Sequence, residues 1–215
     1  MQRYYVFFLA LLWTSQAFGI HLAPSHIVIL QADTETIFGS YYVAVQNPGE
    51  REEPFSFKLR LPLETIDFQA AEGLTNENIS ILSEGSLQVH QVYKPGMSLQ
   101  GINFKVPARR NSDSVMTLSP LEDIPALYIT SPQGASLHLS AKGFEQGVPP
   151  MLAGGQYYGI HAEHIQASSS ISIEISGIPG GRRPFYLMGL CMSLVLFLVV
   201  SLLTLRSQRL EEEIT

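Results

Sequence analysis

Glu53-Pro54-Phe55-Ser56-Phe57-Lys58-Leu59-Arg60-Leu61-Pro62 is the stretch whose reading decides the fold. Phe55, Phe57, Leu59 and Leu61 alternate with Ser56, Lys58 and Arg60, a period of two that fits a strand with one dry face and one wet face, not a helix. Working outward, the same period returns in Ile102, Phe104 and Val106 and in Ile171, Ile173 and Ile175. Weaker versions cover 27–30, 41–45, 87–91, 115–118, 126–129, 137–139 and 157–161. Asn47-Pro48-Gly49, Lys94-Pro95-Gly96, Ser131-Pro132-Gln133-Gly134, Pro149-Pro150 and Gly154-Gly155 punctuate these runs as turns. Residues 67–81 leave room for one helical turn. The expectation is an all-β domain: an antiparallel, immunoglobulin-like β-sandwich of nine or ten short strands.

The two ends are apolar in a different way. Of 215 residues, 46% are hydrophobic and only 15% charged, against roughly 25% charged in an average soluble domain. Arg3 precedes an apolar run from Tyr4 to Trp13, followed by small or polar residues up to Gly19. That reads as a signal peptide over residues 1–19, with cleavage after Ala17 as a near alternative. Residues 185–205 carry no charge, lie between Arg182-Arg183 and Arg206, and span about 31 Å as a helix, enough for one bilayer crossing. The expected organisation is an ectodomain over residues 20–176, a juxtamembrane linker over 177–184, a transmembrane helix over 185–205 and a cytoplasmic tail over 206–215. The expectation is a single-pass type I protein of the cell membrane, with its domain on the periplasmic or extracellular side. The linker stretches at most about 27 Å, so the domain sits close to the bilayer. Gly189 and Ser193 form a small-xxx-small pair that lets a second helix approach.

The single cysteine, Cys191, lies in the membrane segment, so the exported domain has no disulfide, which fits a bacterial periplasm better than an animal extracellular space. Asn78-Ile79-Ser80 is a glycosylation sequon, of use only in a eukaryotic secretory pathway.

Leu59-Arg60-Leu61-Pro62, Ile66-Asp67-Phe68, Lys94-Pro95-Gly96, Val106-Pro107 and Ile178-Pro179, in this order before a membrane anchor, resemble a loose family of bacterial exported sandwich domains. The likeness covers roughly residues 40–205. It implies an immunoglobulin-like or carboxypeptidase-regulatory-like module that binds or scaffolds and does not catalyse.

Chemistry-bearing patterns are sparse. Among the six histidines the tightest group is His161-Ala162-Glu163-His164. On a strand His161 and Glu163 share a face and His164 points away, so three converging ligands for zinc are not supplied there. A metal-binding protein or metalloenzyme using His161, Glu163 and His164 stands as the alternative reading. No G-x-S-x-G, H-E-x-x-H, Walker A or dinucleotide fingerprint occurs, so no cofactor is expected, and Ser168 to Ser170 read as a turn. Between Ile20 and Arg183 ten Lys/Arg stand against sixteen Asp/Glu, a sign that disfavours nucleic acid. Tyr41-Tyr42 and Tyr157-Tyr158 each put one ring on either face of a sheet. One tyrosine of each pair is thus expected outside, in a patch suited to protein or sugar binding, unless loops cover both faces. The functional expectation is a non-enzymatic, membrane-anchored binding or scaffolding protein, an accessory subunit with a membrane-protein partner. A glycan or small-ligand receptor is a further alternative.

Overall fold

The alternation around Phe55 becomes a strand, and it is one of thirteen among the described residues of the computed structural model. The structure describes residues 19–83, 85–109, 113–152 and 156–179. The expected signal peptide up to residue 18, most of the linker, the transmembrane segment with Gly189 and Ser193, and the tail lie outside them. Among the described residues no helix is long and apolar enough to cross a membrane. The chain divides into two units, Met1–Pro179 and Gly180–Thr215, and the fold below is that of the first.

In chain order the strands are β1 (His21–Ala32), β2 (Thr36–Asn47), β3 (Glu53–Arg60), β4 (Asp67–Ala70), β5 (Ile79–Ser83), β6 (Ser86–Tyr93) and β7 (Gly96–Pro107). Then come β8 (Ser114–Leu118), β9 (Ile124–Pro132), β10 (His138–Ala141), β11 (Glu145–Gln146), β12 (Tyr157–Ile165) and β13 (Ile171–Ser176). Ten of them overlap the ten stretches read from alternation. The other three, β4, β5 and β11, are short edge strands with little or nothing fully buried, so they carry no alternation to read. The helical turn allowed between residues 67 and 81 is a 3-10 turn at Asn76–Asn78.

Three sheets form: seven strands in the order β11-β12-β9-β1-β2-β7-β4, and two of three strands, β10-β13-β8 and β3-β6-β5. The pairings are antiparallel except β1 with β9, which run parallel through Ser25↔Ala126 to Ile29↔Thr130. That departs from a wholly antiparallel sandwich. Parallel neighbours need a long crossover, and here about ninety residues, holding β2 to β8, separate β1 from β9.

One face of the seven-stranded sheet is dry. Val28 and Leu30 of β1, Ile37, Tyr41, Val43 and Val45 of β2, Ile102, Phe104 and Val106 of β7, Leu127 and Ile129 of β9 and Ile160 of β12 all point to that side by register. They join Phe57, Leu59, Leu87 and Val89 from one small sheet and Met116, Ile173 and Ile175 from the other in a single cluster of buried side chains. Both small sheets therefore cover the same inner face. The opposite, outer face of the large sheet bears Ile27, Phe38, Tyr42, Asn103, Lys105 and Tyr128.

Short side chains fix the turns. Asp33 Oδ1 accepts from the backbone N–H of Glu35 and of Thr36, each at 2.8 Å, closing the β1–β2 hairpin. Asn47, buried at the end of β2, accepts from Gly49 N–H and donates from Nδ2 to the carbonyls of Arg51 and Tyr93. One amide thus holds the crossing from the large sheet to β3.

Candidate functional site

Near its start β1 loses register. The pairing with β2 skips between Leu22 and His26, around Pro24, which has no N–H to give a ladder. Just past the irregularity, His26 pairs with Val43 on the inner face, two residues before Val28, where the core would otherwise take an apolar side chain. His26 is 8% exposed, Tyr41 5%. His26 Nδ1 lies 3.0 Å from the Tyr41 hydroxyl, and the rings meet edge to face with centroids 5.8 Å apart.

Burial sets the charge of both groups. Desolvation lowers the His26 pKa to about 4 and pushes the Tyr41 phenol well up, so the pair is neutral at pH 7. One proton is shared along one bond, its direction set by the imidazole tautomer. A histidine of such low proton affinity is a poor general base at neutral pH. What the pair offers is a polar point in an otherwise apolar floor.

Above it lies a cleft of about 450 Å³. One wall is β3 seen edge-on, because Phe55, Phe57 and Leu59 from one face line it together with Ser56, Lys58 and Arg60 from the other. That is possible because β3 pairs with β6 on one side and ends its sheet on the other. An edge strand keeps a row of outward N–H and C=O groups, a template for another extended chain. The second wall is Pro120 to Pro125. It is braced from behind: Asp123 Oδ1 accepts from Ala167 N–H and Pro120 O from Ser168 N–H, each at 2.7 Å. The serine run 168–170 forms this tight bracing turn, with Ser169 Oγ donating to Gln166 O at 2.6 Å.

The edge of β8, by contrast, is closed. Leu63 N–H donates to Thr117 O at 3.0 Å. Glu64 accepts from Thr117 N–H with one carboxylate oxygen and from the Thr117 hydroxyl with the other, each at 2.9 Å. Of these two edges, the one facing the cleft has no strand partner among the described residues.

The four tyrosines divide as the alternation requires. Tyr41 and Tyr158 face inward, Tyr158 opposite Ser131, while Tyr42 and Tyr157 face outward and are half-buried. They make no common patch. Tyr42 and Tyr157 share the outer face but stand three strands apart, about 14 Å across the sheet, and are offset along it. Tyr42 packs against Gly101, where a Cβ would come within 2.9 Å of its ring.

His161 also faces outward and stacks on Tyr128, centroids 5.4 Å apart and planes 12° apart. Glu163 follows on the same face, exposed, and His164 is exposed in a left-handed conformation at φ 55°. Among the described residues no group of three or more His, Cys, Asp or Glu is placed to hold a metal ion. The structure thus does not assemble His161, Glu163 and His164 into a ligand set.

Sequence reasoning counted His26 only as one of six histidines expected in loops or on solvent faces, although extending the alternation of Leu30 and Val28 back by two residues lands on it. It passed over Phe38 and Asn103 on the outer face, which only long-range pairing brings together.

No protein-family model matches the chain, and no curated protein matches it. Among solved structures, the M1 zinc metallopeptidase from Deinococcus radiodurans is similar at 12% identity and a TM-score of 0.35, over 73% of this chain and 42% of that one. A mutant two-domain M1 zinc metallopeptidase bound to L-tryptophan is similar at 10% identity and a TM-score of 0.36, over 73% and 43%. The chain spans about two fifths of the length of these proteins. Neither likeness bears on the fold or the chemistry of this chain.

Proposed function

We propose that this chain is a binding protein of the membrane surface: a β-sandwich exported by its N-terminal segment, tethered by residues 185–205, and acting as an accessory subunit for another membrane protein. It works by binding and not by catalysis. The stacking of both small sheets on one face of the large sheet supports the sandwich. The parallel β1–β9 pair and the sheet order differ from the antiparallel arrangement of an immunoglobulin domain, so the reading keeps the layers and not that topology.

The observation that carries the reading is the cleft beside β3: a preformed space with an unpaired strand edge on one side, a braced loop on the other and a neutral polar pair on its floor. An extended segment of a partner would add to β3 through main-chain hydrogen bonds and place side chains over the floor. The charged groups lining the cleft, Lys58, Arg60, Glu122 and Asp123, would set orientation more than affinity.

Photo-crosslinking in native membranes tests this. A photoreactive residue at Ser56, exposed on the cleft wall, is expected to capture a defined membrane protein, and one at Ser172, exposed on β13, is not. Equal capture from both positions, or none from Ser56, sinks the reading.

A further inference from the structure

The outer face of the large sheet holds a second depression, of about 310 Å³, over β1, β2, β7 and β4. Its size falls at the lower end of the ~300–1,000 Å³ typical of small-molecule sites. Two cross-strand rows build it. In one, Gln31 of β1 stands opposite Phe38 of β2, which stands opposite Lys105 of β7, with Asp67 of β4 beyond. In the next, Ser40 stands opposite Asn103, and Asn103 opposite Gln69.

The chemistry of these rows narrows what fits. Lys105 and Asp67 are bound to one another at 2.7 Å, so the two charges cancel and leave no free cation for a phosphate or uronate. Ser40 Oγ donates to Asn103 Oδ1 at 2.7 Å, which occupies that oxygen and leaves the Asn103 amide nitrogen with both of its protons to offer. Gln31 and Gln69 are exposed amides, each both donor and acceptor. In their midst the Phe38 ring stands 40% exposed, with half-buried Phe68 also lining the depression. An ion would want an unpaired charge. Uncharged donors and acceptors around an aromatic face match a pyranose, which has hydroxyls at its rim and C–H groups on its face.

We propose that this face binds a neutral oligosaccharide, with Phe38 as the stacking platform and Asn103, Gln31 and Gln69 as the hydrogen-bonding groups. The face continues beyond the depression: the row after Ser40–Asn103 carries Tyr42 and Tyr128 on either side of Ile27, so a longer chain of sugars meets further rings. This site lies on the face of the large sheet opposite the His26–Tyr41 floor, and its fate is independent of the partner cleft.

The experiment uses full-length protein in a zwitterionic detergent without a sugar headgroup, since a maltoside micelle would itself compete. Calorimetric titration with tetrasaccharides of glucose and of N-acetylglucosamine is compared with tetragalacturonate. The expected result is binding of at least one neutral tetrasaccharide with Kd between about 10 μM and 1 mM, weakened at least about tenfold in Phe38→Ala and in Asn103→Leu. Ser172→Ala should bind as the wild type does. Gln69→Ala, at an exposed position on the edge strand, should weaken binding with an unchanged melting temperature and so separates contact loss from misfolding. Absence of heat with both neutral sugars up to about 10 mM, equal binding by Phe38→Ala, tighter binding of tetragalacturonate, or self-association through this face in place of sugar binding would each overturn the proposal.

Discussion

The ring of Phe104 lies over Gly39, its direct cross-strand neighbour in the β2–β7 pair, so closely that a Cβ on Gly39 would overlap the ring atoms. Gly39 occupies a core position of β2, where the alternation otherwise supplies Ile37, Tyr41 and Val43. The missing side chain is what lets a fully buried phenylalanine lie flat against the sheet. Gly39→Ala is therefore expected to cost about 1–3 kcal/mol through overpacking. In a Phe104→Leu background the same change should cost less, with a coupling of about 0.5–3 kcal/mol in a double-mutant cycle followed by urea denaturation.

The His26–Tyr41 bond leads to a pH dependence. His26 takes up its proton near pH 4 when folded and near 6.5 when unfolded. Between those values the unfolded chain binds more protons, so stability is full above about pH 6.5 and falls as acid is added. The loss should reach about 3 kcal/mol by pH 4. Asp67, held below the usual carboxylate range by its hydrogen bond to Lys105, acts in the same direction but only at more acid pH. Denaturation series from pH 7.5 to 4.5 should show the slope in the wild type and a flatter line in His26→Gln. A wild-type stability constant across that range would contradict the burial of a neutral imidazole.

How far the sequence reached is clearest at these residues. Strands whose one face is buried, such as β3 and β13, announce themselves because their neighbours in sequence alternate between core and water. Edge strands β4, β5 and β11 have no such contrast and are silent. The outward or inward choice at Tyr41-Tyr42 was readable only as a pair, since period two says that one ring is inside but not which. The outer face was not readable at all. Ser40 and Asn103 are 63 positions apart, and their meeting depends on β2 pairing with β7 in one register, which a one-residue slip would abolish. The parallel β1–β9 contact lay equally beyond reach, because nothing local marks which two of thirteen strands become neighbours.

Glu64 gives a prediction about an edge. Its carboxylate takes both the backbone N–H and the hydroxyl of Thr117, and so shields the outer side of β8. Glu64→Ala would leave a half-buried N–H without a partner and should cost about 1–3 kcal/mol. It should also open the β8 edge to other chains. Thermal melts read the first effect. The second should appear as concentration-dependent light scattering absent from the wild type.

Asn78 carries the sequon, yet its side chain is already committed. Oδ1 accepts from Thr75 N–H at 3.0 Å and from the Thr75 hydroxyl at 2.8 Å, while Nδ2 donates to His90 O at 3.3 Å. These bonds tie the 3-10 turn before β5 to β6. A sequon that served only to display a sugar would use a freely exposed amide, and its loss would cost little. Here Asn78→Ala removes the acceptor for two donors at once. It is expected to lower stability by about 1–2 kcal/mol, whereas Ser80→Ala, which also destroys the sequon, should stay within about 0.5 kcal/mol of the wild type. Equal stability of the two variants in urea denaturation would mean that the Asn78 side chain does not hold the turn.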